Sequence, residues 1–91
     1  MNRHRISVSL KYPRNVDAPL ITAKAHGVLA EKMVQIAREN DIPVVEDDLA
    51  ANIVSLGQIG DCIPEAAWRS VAGIFAMISS LEHEAEPELD L

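Results

Sequence analysis

The clearest signal along the chain is a change in the period of its apolar positions. Ile6, Val8, Leu10 and Tyr12 alternate with Ser7, Ser9 and Lys11, the period-two pattern of a strand with one buried face. Pro13-Arg14-Asn15 then reads as a turn, and Leu20-Ile21-Thr22-Ala23 as a short second strand. From about Ala25 the period becomes helical. Leu29, Met33, Ile36, Ala37 and Asn40 share the predicted buried face, while Glu31, Lys32, Gln35, Arg38 and Glu39 fall mostly elsewhere. Asn40-Asp41 is the predicted stop, with Pro43 just beyond.

The run Ile42–Glu46 is short and apolar, which suits a central strand covered on both faces. Strand, helix and strand in this order predict a right-handed parallel crossover. Asp47 or Asp48 caps a short helix through about Leu56, ended by Gly57. Pro64 suits the first position of a last helix reaching about Leu81, with Trp68, Val71, Ala72, Phe75, Ile78 and Leu81 as its apolar stripe. The predicted fold is α/β: one domain, with a small mixed sheet of three or four strands covered by about three helices.

Composition narrows the range of functions. The chain has 91 residues, a size for one domain with a modest core. Hydrophobic residues make up 48%, yet Tyr12, Trp68 and Phe75 are its only aromatics, so the core is aliphatic. The lone Cys62 has no internal disulfide partner, which fits a reducing cytosol. No apolar run approaches the roughly 18 residues that cross a bilayer. Net charge is −6 and unevenly placed, basic at Arg3, Arg5, Lys11 and Arg14 and acidic at Glu82, Glu84, Glu86, Glu88 and Asp90. Such a balance lacks the basic footprint of a nucleic-acid binder. It divides the chain into a domain over residues 1–81 and an acidic tail over 82–91, predicted to be disordered because it has little apolar surface to bury.

Candidate chemistry is sparse. Glu46-Asp47-Asp48 sits where a strand gives way to a helix. Clustered carboxylates there could hold Mg²⁺ or act as acid and base, which is the alternative reading of the chain as a small metal-dependent enzyme or metal-binding protein. Helix capping is the simpler role for the same residues. His4, His26 and His83 share no metal-binding spacing, and His26 is expected at the start of the first helix. Cys62 beside Asp61 lacks the positive surroundings of a reactive thiol and reads as space-filling. No cofactor is predicted.

Several short motifs, taken in order, resemble a known module. They are Ile6–Tyr12, Ala18-Pro19, Gly27-Val28-Leu29-Ala30, Ile42–Glu46 and Ile59-Gly60-Asp61-Cys62-Ile63-Pro64. Together they resemble the cytoplasmic C-terminal domain of the FlhB and YscU family of flagellar and type III export switches, over about residues 2–81. The resemblance implies a non-catalytic protein-interaction module of the export apparatus, docking export substrates or the hook-length regulator. Its location would be cytoplasmic, peripheral at the membrane export gate. Other export-apparatus proteins, including a membrane-bound FlhB relative, are the implied partners. In the family an Asn-Pro-Thr-His turn precedes the first strand, and its Asn side chain cuts the bond to Pro. Here the places hold Asn2, Arg3, His4 and Arg5, so only the Asn matches and the turn is degenerate. The family's membrane helices have no counterpart in this sequence, so the chain is expected to be either a free-standing copy, which Met1 ahead of the module favours, or a fragment, and by its start point it resembles the piece left after cleavage. The docking patch maps by resemblance to Ala18 and Pro19 in the loop and Ala72 and Phe75 on the last helix.

Overall fold

The computed structural model describes residues 5–13, 18–79 and 88–91; the side chains of residues 77–79 are not among what it describes. Its strands are β1 (Ile6–Lys11), β2 (Leu20–His26) and β3 (Glu88–Asp90), and its helices α1 (Val28–Glu39), α2 (Asp48–Val54) and α3 (Trp68–Ser79). A 3-10 turn over Glu65–Ala67 leads into α3. The sheet order is β2-β1-β3, with both pairs antiparallel. The α/β class and the single small sheet agree with the sequence pattern.

The alternation in β1 sets the two faces of the sheet. Val8 and Leu10 point to the main core with Ile21, Leu89 and Leu91, where they meet Ala50, Ala51 and Val54 of α2 and Ile63, Ala67, Val71 and Phe75. A bulge between Ser9 and Leu10 makes this pairing work, because Ser9 faces Ala23 while Leu10 faces Ile21. Thr22 is the extra residue, and its hydroxyl donates to the Ser9 carbonyl at 3.1 Å. The inserted residue turns Ile21 to the core and leaves Ala23 and Ala25 on the opposite face.

That opposite face is covered by α1, which packs on β1 and β2. Its buried residues are Ala30, Val34 and Ala37. The predicted face built on Leu29, Met33 and Ile36 is therefore corrected: Leu29 is 66% and Ile36 50% exposed. Small side chains let the helix approach Ser7 and Ala25 closely, and the larger ones are left along its flank. Likewise α3 buries Val71 and Phe75, with Ile74 half-buried, whereas Trp68 and Ala72 lie on its exposed side. The side chain of Ile78 and the whole of Leu81 lie outside what the structure describes. Pro64 is the cap before the 3-10 turn and not the first helical residue.

The largest departure from expectation is in the acidic tail. Residues 88–90 form the end strand of the sheet beside β1, and the segment around Val44 bonds to their other side. Leu91 and Val8 exchange backbone bonds at 2.9 and 3.1 Å, Asp90 donates to the Pro43 carbonyl at 2.9 Å, and Val45 donates to the Asp90 carbonyl at 2.9 Å. Leu89 and Asp90 are fully buried and Leu91 nearly so. The alternation of Glu88, Leu89, Asp90 and Leu91 supplies enough apolar surface to order this segment despite its charge. Ile42–Glu46, predicted as a central strand, is consequently displaced to the rim, where Val44 makes a single parallel bridge to Asp90. Pro43 has no N–H for a second ladder, which suits an edge position.

Two local devices hold the remaining connections. Lys24 donates to the carbonyls of Ser55 at 3.2 Å and Gly57 at 2.7 Å, satisfying the end of α2 with a positive charge. Gly57 lets the buried Ile21 approach closely, since a Cβ there would sit 2.6 Å from Ile21 Cδ1 and the Ile21 side chain would have to shift.

Leu89→Ala should lower the unfolding free energy by about 2–4 kcal/mol in urea titration, the cost of truncating a buried leucine. A loss under about 0.5 kcal/mol would mean that the strand is not part of the core.

Candidate functional site

The loop between β1 and β2 is tied to α3 at both of its described ends. On one side the Tyr12 ring meets Phe75 edge-on, with centroids 5.6 Å apart. On the other, the Pro19 carbonyl accepts the Ile63 N–H at 3.0 Å, and the Trp68 indole Nε1–H donates to the Ile63 carbonyl at 3.2 Å. Ala18, Pro19 and Phe75 are all buried, while Ala72 is exposed. Phe75 is a core residue at 2% exposure. The four residues singled out from the sequence thus divide into a buried floor and one solvent-facing member.

Sequence reasoning missed the exposed neighbours of Ala72. Trp68, Ala72 and Ala76 follow one another four residues apart along α3, and all three are exposed. This spacing lines them up on one face. The two alanines leave that face low, so the tryptophan ring stands as a wall at its N-terminal end. Trp68 is 46% exposed, with its polar end fixed to the Ile63 carbonyl and its ring left open to solvent. The available signal was the hydrogen-bonding need of a tryptophan at a helix start, which holds the indole near the surface.

A second cluster lies under α1. The fully buried Asp90 carboxylate accepts from Ser7 Oγ at 2.9 and 2.7 Å and from Ser9 Oγ at 3.0 Å. Burial pushes its pKa above the ordinary carboxylate value, while the two hydroxyls and the Arg5 charge oppose the shift.

The Glu46-Asp47-Asp48 triplet sits beside this region. Asp47 caps α2 by accepting the Ala50 N–H at 3.0 Å. Glu46 lies 3.8 Å from Arg5 Nη1 and is largely exposed, so the pair is a weak surface contact. Asp48 is the exposed first residue of α2. Among the described residues no group of His, Cys, Asp and Glu is disposed to hold a metal ion. Cys62, read as space-filling, is instead exposed, and its backbone bridges Leu20. His26 ends β2 and does not start α1. Asn2, Arg3, His4 and His83 lie outside the described residues, so the degenerate cleavage turn is represented here by Arg5 alone.

With this geometry established, comparison with known proteins is informative. The profile of the FlhB HrpN YscU SpaS family matches residues 1–78. The chain belongs to that family. It is 32% identical over 88 residues to the flagellar biosynthetic protein FlhB of Helicobacter pylori, covering 96% of this chain and 25% of that protein. To the secretion system apparatus protein SsaU of Salmonella typhimurium it is 33% identical over 89 residues, covering 96% of this chain and 25% of SsaU. The chain spans about a quarter of the length of these export proteins. A shorter relative, YlqH of Bacillus subtilis, is 30% identical over 83 residues, which is 90% of this chain and 89% of YlqH. No described helix is long and apolar enough to cross a membrane.

The raised pKa of Asp90 fixes the sign of a pH effect. The folded state holds this proton more tightly than the unfolded chain does. The stabilisation is fully present below the ordinary carboxylate value and is lost as pH rises through the raised folded value. The stability of the native chain relative to Asp90→Asn should therefore rise as pH falls from about 7 to about 4, measured by denaturant titration of both proteins. A difference that is flat or falls on acidification would show that burial does not control this carboxyl.

Proposed function

We propose that the chain is a non-catalytic protein-interaction module of a flagellar or type III export apparatus, docking export substrates or the hook-length regulator. Membership of a family whose named relatives are flagellar and secretion-apparatus proteins supports this reading. The observation that carries the site is the exposed row Trp68, Ala72 and Ala76 on the helix to which the Ala18–Pro19 loop is tied. A partner's apolar anchor would lie against Ala72 and the Trp68 ring, over a floor built by Ala18, Pro19 and Phe75. The floor is held by backbone bonds and ring packing before any partner arrives, so binding costs little ordering there. An aromatic ring beside small residues is a favourable centre for such contacts.

The working location would be cytoplasmic, peripheral at a membrane export gate, with export-apparatus proteins as partners, a membrane-bound FlhB relative among them. Exposed charges on α1, including Lys32, Arg38 and Glu39, would steer the approach. No catalytic step is assigned to the chain. Asp47 is already engaged as a helix cap, and Glu46 and Asp48 are solvated.

Ala72→Asp tests the surface without entering the core, whereas a charge at Phe75 would unfold it. The native chain should retain export-apparatus components from cells of a flagellated relative, identified by mass spectrometry. Ala72→Asp should lose at least about tenfold of that recovery, or roughly 1.4 kcal/mol, with its circular dichroism and melting unchanged. Equal recovery by both proteins would remove the surface from the proposal, and absence of such components from the native recovery would remove the function.

A further inference from the structure

β2 lies at an end of the sheet, and its outer edge is covered over only part of its length. The Ile21 N–H donates to the Asp61 carbonyl, and the Ile21 carbonyl accepts from Gly60. Among the described residues that loop makes no backbone bond to β2 beyond Ile21. Val8 spends both its N–H and its C=O on Leu91. Lys24, the register partner of Val8, therefore directs its own pair away from β1, toward the outer edge. On the α1 face this stretch borders a groove of about 270 Å³, between Lys24 and Ala25 of β2 and Leu29, Lys32, Met33 and Ile36 of α1. Leu29 and Ile36 are at least half exposed. The lining holds two lysines and no carboxylate, on a chain whose net charge is −6. On the other face, the Lys24 ammonium gives two of its three N–H groups to the Ser55 and Gly57 carbonyls and keeps a third for the edge.

We propose that this edge and groove receive an extended acidic segment of a partner protein, added to the sheet beside β2. The partner residue opposite Lys24 lies on the same face as the Lys24 side chain. It is a glutamate or aspartate, and its carboxylate accepts the remaining Lys24 N–H. The residues on either side of it face α1 and are apolar, resting on Leu29, Met33 and Ile36. Lys32, exposed at the rim, draws further carboxylates toward the groove. Main-chain bonds to Lys24 supply affinity, and the alternation of apolar and acidic side chains supplies specificity. Charge decides between occupants. Two β2 edges paired about a twofold would set Lys24 opposite Lys24 or His26, and neither brings a carboxylate. The lysine lining thus favours an acidic partner over a second copy. α1 covers the sheet face opposite the one on which Val71 and Phe75 of α3 pack. The groove and the Trp68, Ala72 and Ala76 row are therefore separate surfaces and stand or fall separately.

The probe is a fluorescein-labelled peptide, Gly-Glu-Val-Glu-Val-Glu-Gly, titrated into the full chain and read by anisotropy. Saturable binding is expected. It should weaken at least about tenfold when the central glutamate is replaced by lysine, and as much for Gly-Val-Val-Glu-Glu-Glu-Gly, which keeps the composition and loses the alternation. The double substitution Leu29→Gln and Ile36→Gln alters exposed side chains, so melting should be unchanged while affinity falls about tenfold or more. Ala72→Asp should bind the peptide as the native chain does. Hydrogen exchange of the native chain gives a reading that requires no variant to fold: the Lys24 amide should exchange at least about tenfold more slowly at peptide saturation. No saturable binding, equal binding of the alternating and rearranged peptides, no loss on the double substitution, or an unslowed Lys24 amide would each overturn the proposal. So would loss of binding in Ala72→Asp, which would move the peptide to α3. A dimer in sedimentation abolished by the double substitution would also overturn it, giving the groove to a second copy.

Discussion

The structure depends on one strand pairing, that of residues 88–91 with β1. β1 has β2 on one side, and its other side is completed by a segment from the far end of the sequence. That segment puts Leu89 and Leu91 into the aliphatic cluster under α2 and α3, and Asp90 among hydroxyls under α1. Without it, the backbone groups of Val8 on one side and of Pro43 and Val45 on the other would lose their partners. Unpaired backbone inside a sheet costs more than the bonds contribute when made, so the slot favours being filled. Much of the small domain's cooperativity follows from this closure, since the same residues join the sheet, both core helices and the rim segment.

Residues close to one another in sequence were the legible part of the fold. The alternation in β1, the helical period read from about Ala25 and a cap at Asp47 or Asp48 all follow from local patterns; the structure contains the strand, starts the helix at Val28 and takes Asp47 as the cap. Long-range features were harder to read. Glu88-Leu89-Asp90-Leu91 has a strand's period, but four residues within an acidic run carry little weight by themselves. Their burial depends on Ser7 and Ser9, which look in sequence like the solvent face of β1. The face of α1 was misjudged for a related reason. Larger side chains usually point inward, but a sheet face of serine and alanine is shallow. A helix packs closely on it only through Ala30, Val34 and Ala37. The candidate surface followed the same course. Ala72 and Phe75 were placed on the last helix from sequence, but only packing separates the buried Phe75 from the exposed Ala72 one turn away.

The family relationship and the geometry support different parts of the account. The family profile covers residues 1–78 and the strand of residues 88–90 lies beyond it, whereas the alignments to FlhB and SsaU span 96% of the chain. The part matched by the profile includes the β1–β2 connection and all but the last residue of α3. The strand that completes the sheet draws on residues outside the shared profile.

The character of the Asp90 site suggests why a carboxylate is tolerated inside so small a core. Burial makes the charge costly, and its pKa rises accordingly. A leucine in its place would avoid that cost but would also remove a constraint. Leu89 and Leu91 are chemically alike, and a strand of alternating leucines could pair two residues out of step with β1 at little penalty. The carboxylate cannot, because only one alignment places it between Ser7 and Ser9 with both hydroxyls directed at it. A slip by one residue would be worse, exposing the leucines and driving the charge into the aliphatic face. The polar contact thus trades stability for register.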